Sequence, residues 1–142
     1  DRARHARAGR ARCSAGTKLR LLVAGEARAL KEIERAFRPL AAEVEVTMTR
    51  SPIEALLLLA HSRPDGVLLD LDLPGLDGFE VCRRVTKSRS LAATRLVAMA
   101  SRCRSDVVGS ALTAGAVGCL QKPVDAKEVL ALLTSWRKRP SA

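Results

Sequence analysis

The sequence predicts a parallel α/β fold in one domain, and three observations carry that reading. Short apolar runs alternate with amphipathic stretches from Leu19 onward. One of those runs, Val67-Leu68-Leu69, is apolar throughout and ends in Asp70. At 142 residues the chain fits one domain with a core that needs no staples.

The elements follow in order. Leu19 to Ala24 (LRLLVA) reads as the first strand, and Glu26 to Arg38 as a helix with Leu30, Ile33 and Phe37 at three-to-four-residue spacing before Pro39. Val44 to Thr49 alternates apolar and polar residues, which predicts a strand at a sheet edge. Ser51-Pro52 supplies a cap and a first-turn proline for a helix over Ile53 to His61, with Leu56 to Leu59 expected to face the core. Val67-Leu68-Leu69 is a strand ending in Asp70, and Gly78 to Lys87 is the third helix. Arg95 to Ala100 is the fourth strand. Ser105 is expected to cap a helix over Asp106 to Ala114, which Gly115 stops. Gly118 to Gln121 is the fifth strand, and Asp125 caps a last helix from Ala126 to about Arg137.

Composition excludes several classes. The only aromatics are Phe37, Phe79 and Trp136, so the core must be built from Leu, Val and Ala. No apolar run approaches the ~20 residues of a bilayer span, and the arginine-rich start has no apolar segment of a secretory signal. Cys13, Cys82, Cys103 and Cys119 form no CxxC pair, which argues against a zinc site or disulfide framework and for a cytoplasmic protein. Half of the formal charge of +10 lies in residues 1–18, where six cations face Asp1. That segment reads as a basic disordered tail or linker, with residues 19–138 as the folded domain. The tail can bind phosphate backbones non-specifically, but no interleaved aromatics provide base stacking.

Parallel strands joined by helical crossovers place all their C-terminal ends on one edge, where open α/β sheets bind ligands. Here those ends carry Gly25-Glu26, Asp70, Ala100-Ser101 and Lys122-Pro123. A carboxylate at the mouth of the sheet can attack a phosphoryl group and hold it covalently. Bringing anions together requires a divalent cation and a positive side chain. Glu26, Asp70 and the backbone carbonyl of Asp72 are the oxygen ligands on offer for Mg2+, with Lys122 as the cation that pairs with Asp70 or a phosphoryl oxygen. Ser101 follows Ala100 directly and, by strand alternation, is expected to point to the opposite face.

The run Pro64-Asp65-Gly66-Val67-Leu68-Leu69-Asp70-Leu71-Asp72-Leu73-Pro74-Gly75-Leu76-Asp77-Gly78-Phe79-Glu80 resembles the receiver domains of bacterial response regulators. Ala114-Gly115-Ala116 followed by Gln121-Lys122-Pro123-Val124-Asp125 resembles the fifth-strand region of the same family. The resemblance implies a flavodoxin-like doubly wound sheet of five strands in order 2-1-3-4-5 with five helices. It implies Asp70 as phosphoacceptor from a histidine kinase, in two-component phosphorelay signalling. It also implies no enzyme beyond self-phosphorylation from a phosphodonor and slow autodephosphorylation.

Three positions depart from the family pattern. Its first strand usually ends in two adjacent acids; here Gly25 replaces the first, which weakens Mg2+ binding by about 1–3 kcal/mol. The hydroxyl position at the end of the fourth strand is Ala100, and the aromatic switch position is Cys119. The sequence therefore points to an atypical receiver acting through protein contact, with phosphorylation at Asp70 impaired or absent. A homodimer through the fourth helix, fifth strand and fifth helix fits that reading. The alternatives are a conventional phosphorylation-activated receiver and nucleic-acid binding through the basic tail.

Overall fold

The computed structural model describes residues 18–75 and 77–138, so the expected tail lies outside the described residues apart from Lys18. The elements are β1 (Leu19–Ala24), α1 (Ala27–Phe37), β2 (Val44–Thr49), α2 (Pro52–Ser62), β3 (Gly66–Asp70), α3 (Gly78–Lys87), β4 (Arg95–Ala100), α4 (Ser105–Ala114), β5 (Gly118–Gln121) and α5 (Ala126–Lys138). The five strands form one parallel sheet in the order β2-β1-β3-β4-β5. This is the flavodoxin-like arrangement the sequence implied, with β2 at the edge.

Period-two alternation divides each central strand between two cores. Leu22, Ala24, Val67, Leu69, Leu96 and Ala98 face α2, α3 and α4, where they meet Ala55, Leu59, Val81, Cys82, Val85, Ala111 and Ala114. Leu21, Val23, Leu68, Val97 and Met99 face α1 and α5, against Ala29, Ile33, Phe37, Val129 and Leu133. Two-sided burial is why β3 and β4 carry unbroken apolar runs.

Local signals explain most boundaries. The Ser51 hydroxyl accepts the Glu54 N–H at 3.1 Å with Pro52 in the first turn of α2, and Asp125 accepts the Lys127 N–H at 3.0 Å at the start of α5. Two expectations fail. Ser105 does not cap α4: the helix begins one residue earlier, Arg104 holds the cap position without a side-chain bond, and Ser105 is already helical. Negative charge at that end comes instead from Asp106, whose carboxylate lies 3.5 Å from the Arg104 guanidinium. Nor do Leu56 to Leu59 all face the core. Ala55 and Leu59 are buried, whereas Ile53 is 71% and Leu57 56% exposed, with Leu56 at 39%. Four consecutive residues sweep around a helix, so the core-facing stripe is Ala55, Leu58 and Leu59, at i, i+3 and i+4.

Gly115 ends α4 at φ +116°, in the left-handed region. A Cβ there would collide with Thr86 of α3, whose hydroxyl donates to the carbonyls of Cys82 at 2.8 Å and Ala114 at 3.3 Å. Gly109, inside the same helix, has open space around it. Opposite effects should follow in urea unfolding. Gly115→Ala should lower stability by about 1–3 kcal/mol, and Gly109→Ala should raise it by about 0.5–1 kcal/mol through helix propensity.

Candidate functional site

The C-terminal ends of β1, β3, β4 and β5 bring Glu26, Asp70, Asp72, Ser101 and Lys122 together. Backbone bonds fix the edge: Gly25 N–H donates to Thr49 O (3.1 Å), Leu71 N–H to Met99 O (2.8 Å) and Lys122 N–H to Ala100 O (2.9 Å). The Lys122–Pro123 peptide is cis.

Asp70 is the deepest member, with its side chain 0% exposed. Its Oδ1 accepts the Asp72 N–H at 2.8 Å and its Oδ2 the Glu26 N–H at 3.3 Å. Both oxygens lie 3.0 Å from Lys122 Nζ. The same ammonium, 10% exposed, reaches Glu26 Oε2 and Asp72 Oδ2, each at 3.1 Å. One lysine thus bridges three carboxylates. Burial pulls its pKa down, but the bonds to Asp70, Asp72 and Glu26 outweigh that and hold it above the ordinary lysine value.

Asp72 was expected to contribute only its carbonyl, yet its side chain is part of the cluster. Its Oδ2 accepts both the N–H (2.8 Å) and the hydroxyl (2.7 Å) of Ser101. Burial raises the Asp72 pKa, and the Ser101 and Lys122 bonds more than offset this, leaving it below the usual carboxylate value. Ser101 therefore does not turn away as expected. β4 ends at Ala100, and past the last ladder residue the alternation of faces no longer applies. The signal for Asp72 was its i+2 spacing from Asp70, which returns the chain to the same pocket.

At Gly25, Ala100 and Cys119, the positions the sequence reading singled out, the structure is specific. A Cβ on Gly25 would lie 3.2 Å from Asp70 Cβ, 3.3 Å from Asp70 Oδ2 and 3.3 Å from Met99 Cε, so the place of an acid side chain is closely packed. Ala100 is buried and presents a methyl group. Cys119 is partly buried against the α2–α4 core, and its Sγ lies 3.5 Å from Cys103 Sγ. That contact had no signal in the sequence, because the two cysteines meet only through the β4–β5 pairing.

The donor set around Asp70 bears on divalent-cation binding in two opposed ways. The side chains present are oxygen donors, and three carboxylates against one ammonium leave formal negative charge, which suits a hard cation. Among the described residues, however, no three His, Cys, Asp or Glu side chains form a metal-holding group. The Lys122 ammonium stands among the carboxylates instead. Chemically, the cluster offers a buried carboxylate oxygen with an ammonium held against it.

The family model for the response regulator receiver domain matches residues 21–134. The response regulator MprA of Mycobacterium sp. (strain KMS) is 35% identical over 124 residues, covering 87% of this chain and 52% of that protein. The chain thus spans about half the length of the curated relatives it matches. The signal receiver domain of the response regulator NarL from Mycobacterium tuberculosis has a TM-score of 0.69 at 30% identity, with 86% of this chain and 98% of that one covered. The receiver domain of the sensor histidine kinase PA1611 from Pseudomonas aeruginosa, whose structure has a magnesium ion coordinated in the active site cleft, has a TM-score of 0.71 at 24% identity, covering 84% and 98%.

Removing one side of the ion cluster tests its energetics. Lys122→Met should destabilise the fold by about 3–5 kcal/mol at neutral pH, because it strands a buried carboxylate. Asp70→Asn should cost less, since Lys122 keeps two acids. In acid, the stability that the lowered Asp72 pKa contributes should be present above its ordinary value of 3.8 and lost as pH falls through the folded value. Urea midpoints against pH read both effects.

Proposed function

This chain belongs to the response regulator receiver domain family, and from that premise we propose that it is an atypical receiver which relays signals through protein contact and accepts a phosphoryl group at Asp70 only poorly. The observation that carries the reading is the combination of an intact Asp70–Lys122 pair, 3.0 Å apart, with a packed glycine and a methyl group where the family carries an acid and a hydroxyl.

In phosphotransfer, an Asp70 oxygen attacks the phosphorus of a phosphohistidine on a histidine kinase. An O–P bond forms as the P–N bond breaks, and the histidine leaves with the bonding pair. Lys122 is positioned to hold the attacking carboxylate and then to follow charge onto a phosphoryl oxygen. Glu26, Asp70 and the Asp72 carbonyl would hold Mg2+, which supplies charge neutralisation for the transferring group. Asp70 must give up one lysine contact to attack, and Ala100 offers no donor to replace it. Both features slow transfer, and the missing hydroxyl uncouples it from α4, β5 and α5, the surface we assign to partner contact, including a second copy of the chain. No described helix is long and apolar enough to cross a membrane.

A conventional phosphorylation-activated receiver is the second reading, and Ser101 favours it. Its hydroxyl lies 2.7 Å from Asp72 Oδ2, at the rim of the cluster. A rotation would turn it to a phosphoryl group.

Intact mass after incubation with acetyl phosphate and magnesium, with Asp70→Ala as control, separates these readings. We expect a slow, partial adduct confined to the parent. Rapid and complete phosphorylation overturns the impaired-acceptor reading, and loss of the adduct in Ser101→Ala would then assign the donor role to that hydroxyl. Gly25→Asp should leave magnesium affinity little changed in calorimetric titration, because a Cβ there lies 3.2 Å from Asp70 Cβ as well as 3.3 Å from Met99 Cε.

A further inference from the structure

Two thiols meet at the junction of the β4–α4 loop and β5. Cys103 lies three residues past the end of β4 and Cys119 is the second residue of β5, opposite Ala98 in the β4–β5 register. Their sulfurs are 3.5 Å apart, and Cys82, Cys103 and Cys119 are all free thiols. A second bond holds the loop in place: the Cys103 N–H donates to the Gln121 side-chain carbonyl at 3.2 Å. The sulfurs thus face each other as a consequence of how the loop is tied to the strand. Closing to an S–S bond of about 2.05 Å requires a shift of roughly 1.5 Å, on a loop whose neighbouring residues Arg102 and Arg104 are exposed.

We propose that Cys103 and Cys119 form a reversible intramolecular disulfide in response to hydrogen peroxide, strapping the β4–α4 loop to β5. Cys103, on the open loop, attacks a peroxide oxygen. An S–O bond forms, the O–O bond breaks, and the departing oxygen leaves as water with the thiol proton. Cys119 then attacks the sulfenic sulfur. The S–S bond forms, the S–O bond breaks, and a second water leaves with the Cys119 proton. Two thiols lose two electrons and the peroxide gains them; a dithiol reverses the reaction. The order of attack follows from environment. Cys103 stands between exposed residues on the loop, whereas Cys119 is held in β5 against the core, where burial and then the contact with Cys103 push its thiol up, so Cys119 serves as the resolving partner.

The strap joins the two segments that hold the acid cluster from opposite sides. Cys103 stands two residues after Ser101, which binds Asp72, and Cys119 three residues before Lys122, which binds Asp70. Oxidation therefore fixes the distance between those partners without phosphate. The inference does not depend on phosphotransfer, and its test uses neither phosphodonor nor metal.

The test is to oxidise the full chain with dilute hydrogen peroxide, block remaining thiols, and map tryptic peptides without reduction. Cleavage after Arg102 and Arg104 releases Cys103-Arg104, which should appear joined to the peptide over residues 105–127 and separate on treatment with dithiothreitol. Cys103→Ser and Cys119→Ser should each abolish the joined species. Amide exchange over residues 101–105 should slow in the oxidised parent and remain unchanged in both variants. Linkage through Cys13 or Cys82, sulfinic acid without linkage, or linkage that leaves loop exchange unaltered would overturn the proposal.

Discussion

Satisfying a fully buried carboxyl group at the end of β3 is the constraint around which the rest of this molecule is arranged. An isolated charge at that depth is too costly to keep, so Asp70 must be met by cations and N–H groups from other segments. The fold supplies them from both directions. The Glu26 amide approaches across β1, the Asp72 amide from the turn after β3, and the Lys122 ammonium from beyond β5. None of these partners is close in sequence except Asp72. The strand order 2-1-3-4-5 is what makes them neighbours, because it sets β3 between β1 and β4 and lets the chain return on β5 at the same edge.

The cluster also shows how a closely packed glycine can sit beside a charged site without disrupting it. Where the pattern calls for a further acid, Met99 and Asp70 close over Gly25. With fewer carboxylates to repel one another, Lys122 alone spans those that remain. The side chains satisfy one another as an ion cluster, which is a different requirement from stabilising a phosphoryl group in transfer. These are separate properties, since the first needs only charge pairing and the second needs donors where charge develops.

Much of this was legible in the sequence. An all-apolar run identified β3, and the alternation in Val44–Thr49 correctly marked an edge strand. The convergence of Glu26, Asp70 and Lys122 followed from strand ends alone. The misreadings share a cause, which is that one-dimensional patterns stop where regular structure stops. Ser101 was assigned the wrong face because alternation was carried one residue beyond β4. Ser105 was taken for a cap because a helix start one residue earlier leaves no trace in composition. The Cys103–Cys119 contact depends on the register of two strands and the path of a loop, neither of which spacing encodes.

The leucine-rich outer side of α2 has a colloidal consequence. Ile53, Leu56 and Leu57 give the molecule an adhesive stripe that its own sheet does not cover. Against it stands the mutual repulsion of copies that each carry a formal charge of +10. That repulsion reaches only about 10 Å at 0.1 M salt and about 3 Å at 1 M, whereas the attraction between apolar stripes does not weaken as ions are added. Dispersion of this protein is therefore an ionic-strength property: copies that stay separate in weak electrolyte lose their barrier to sticking as salt rises.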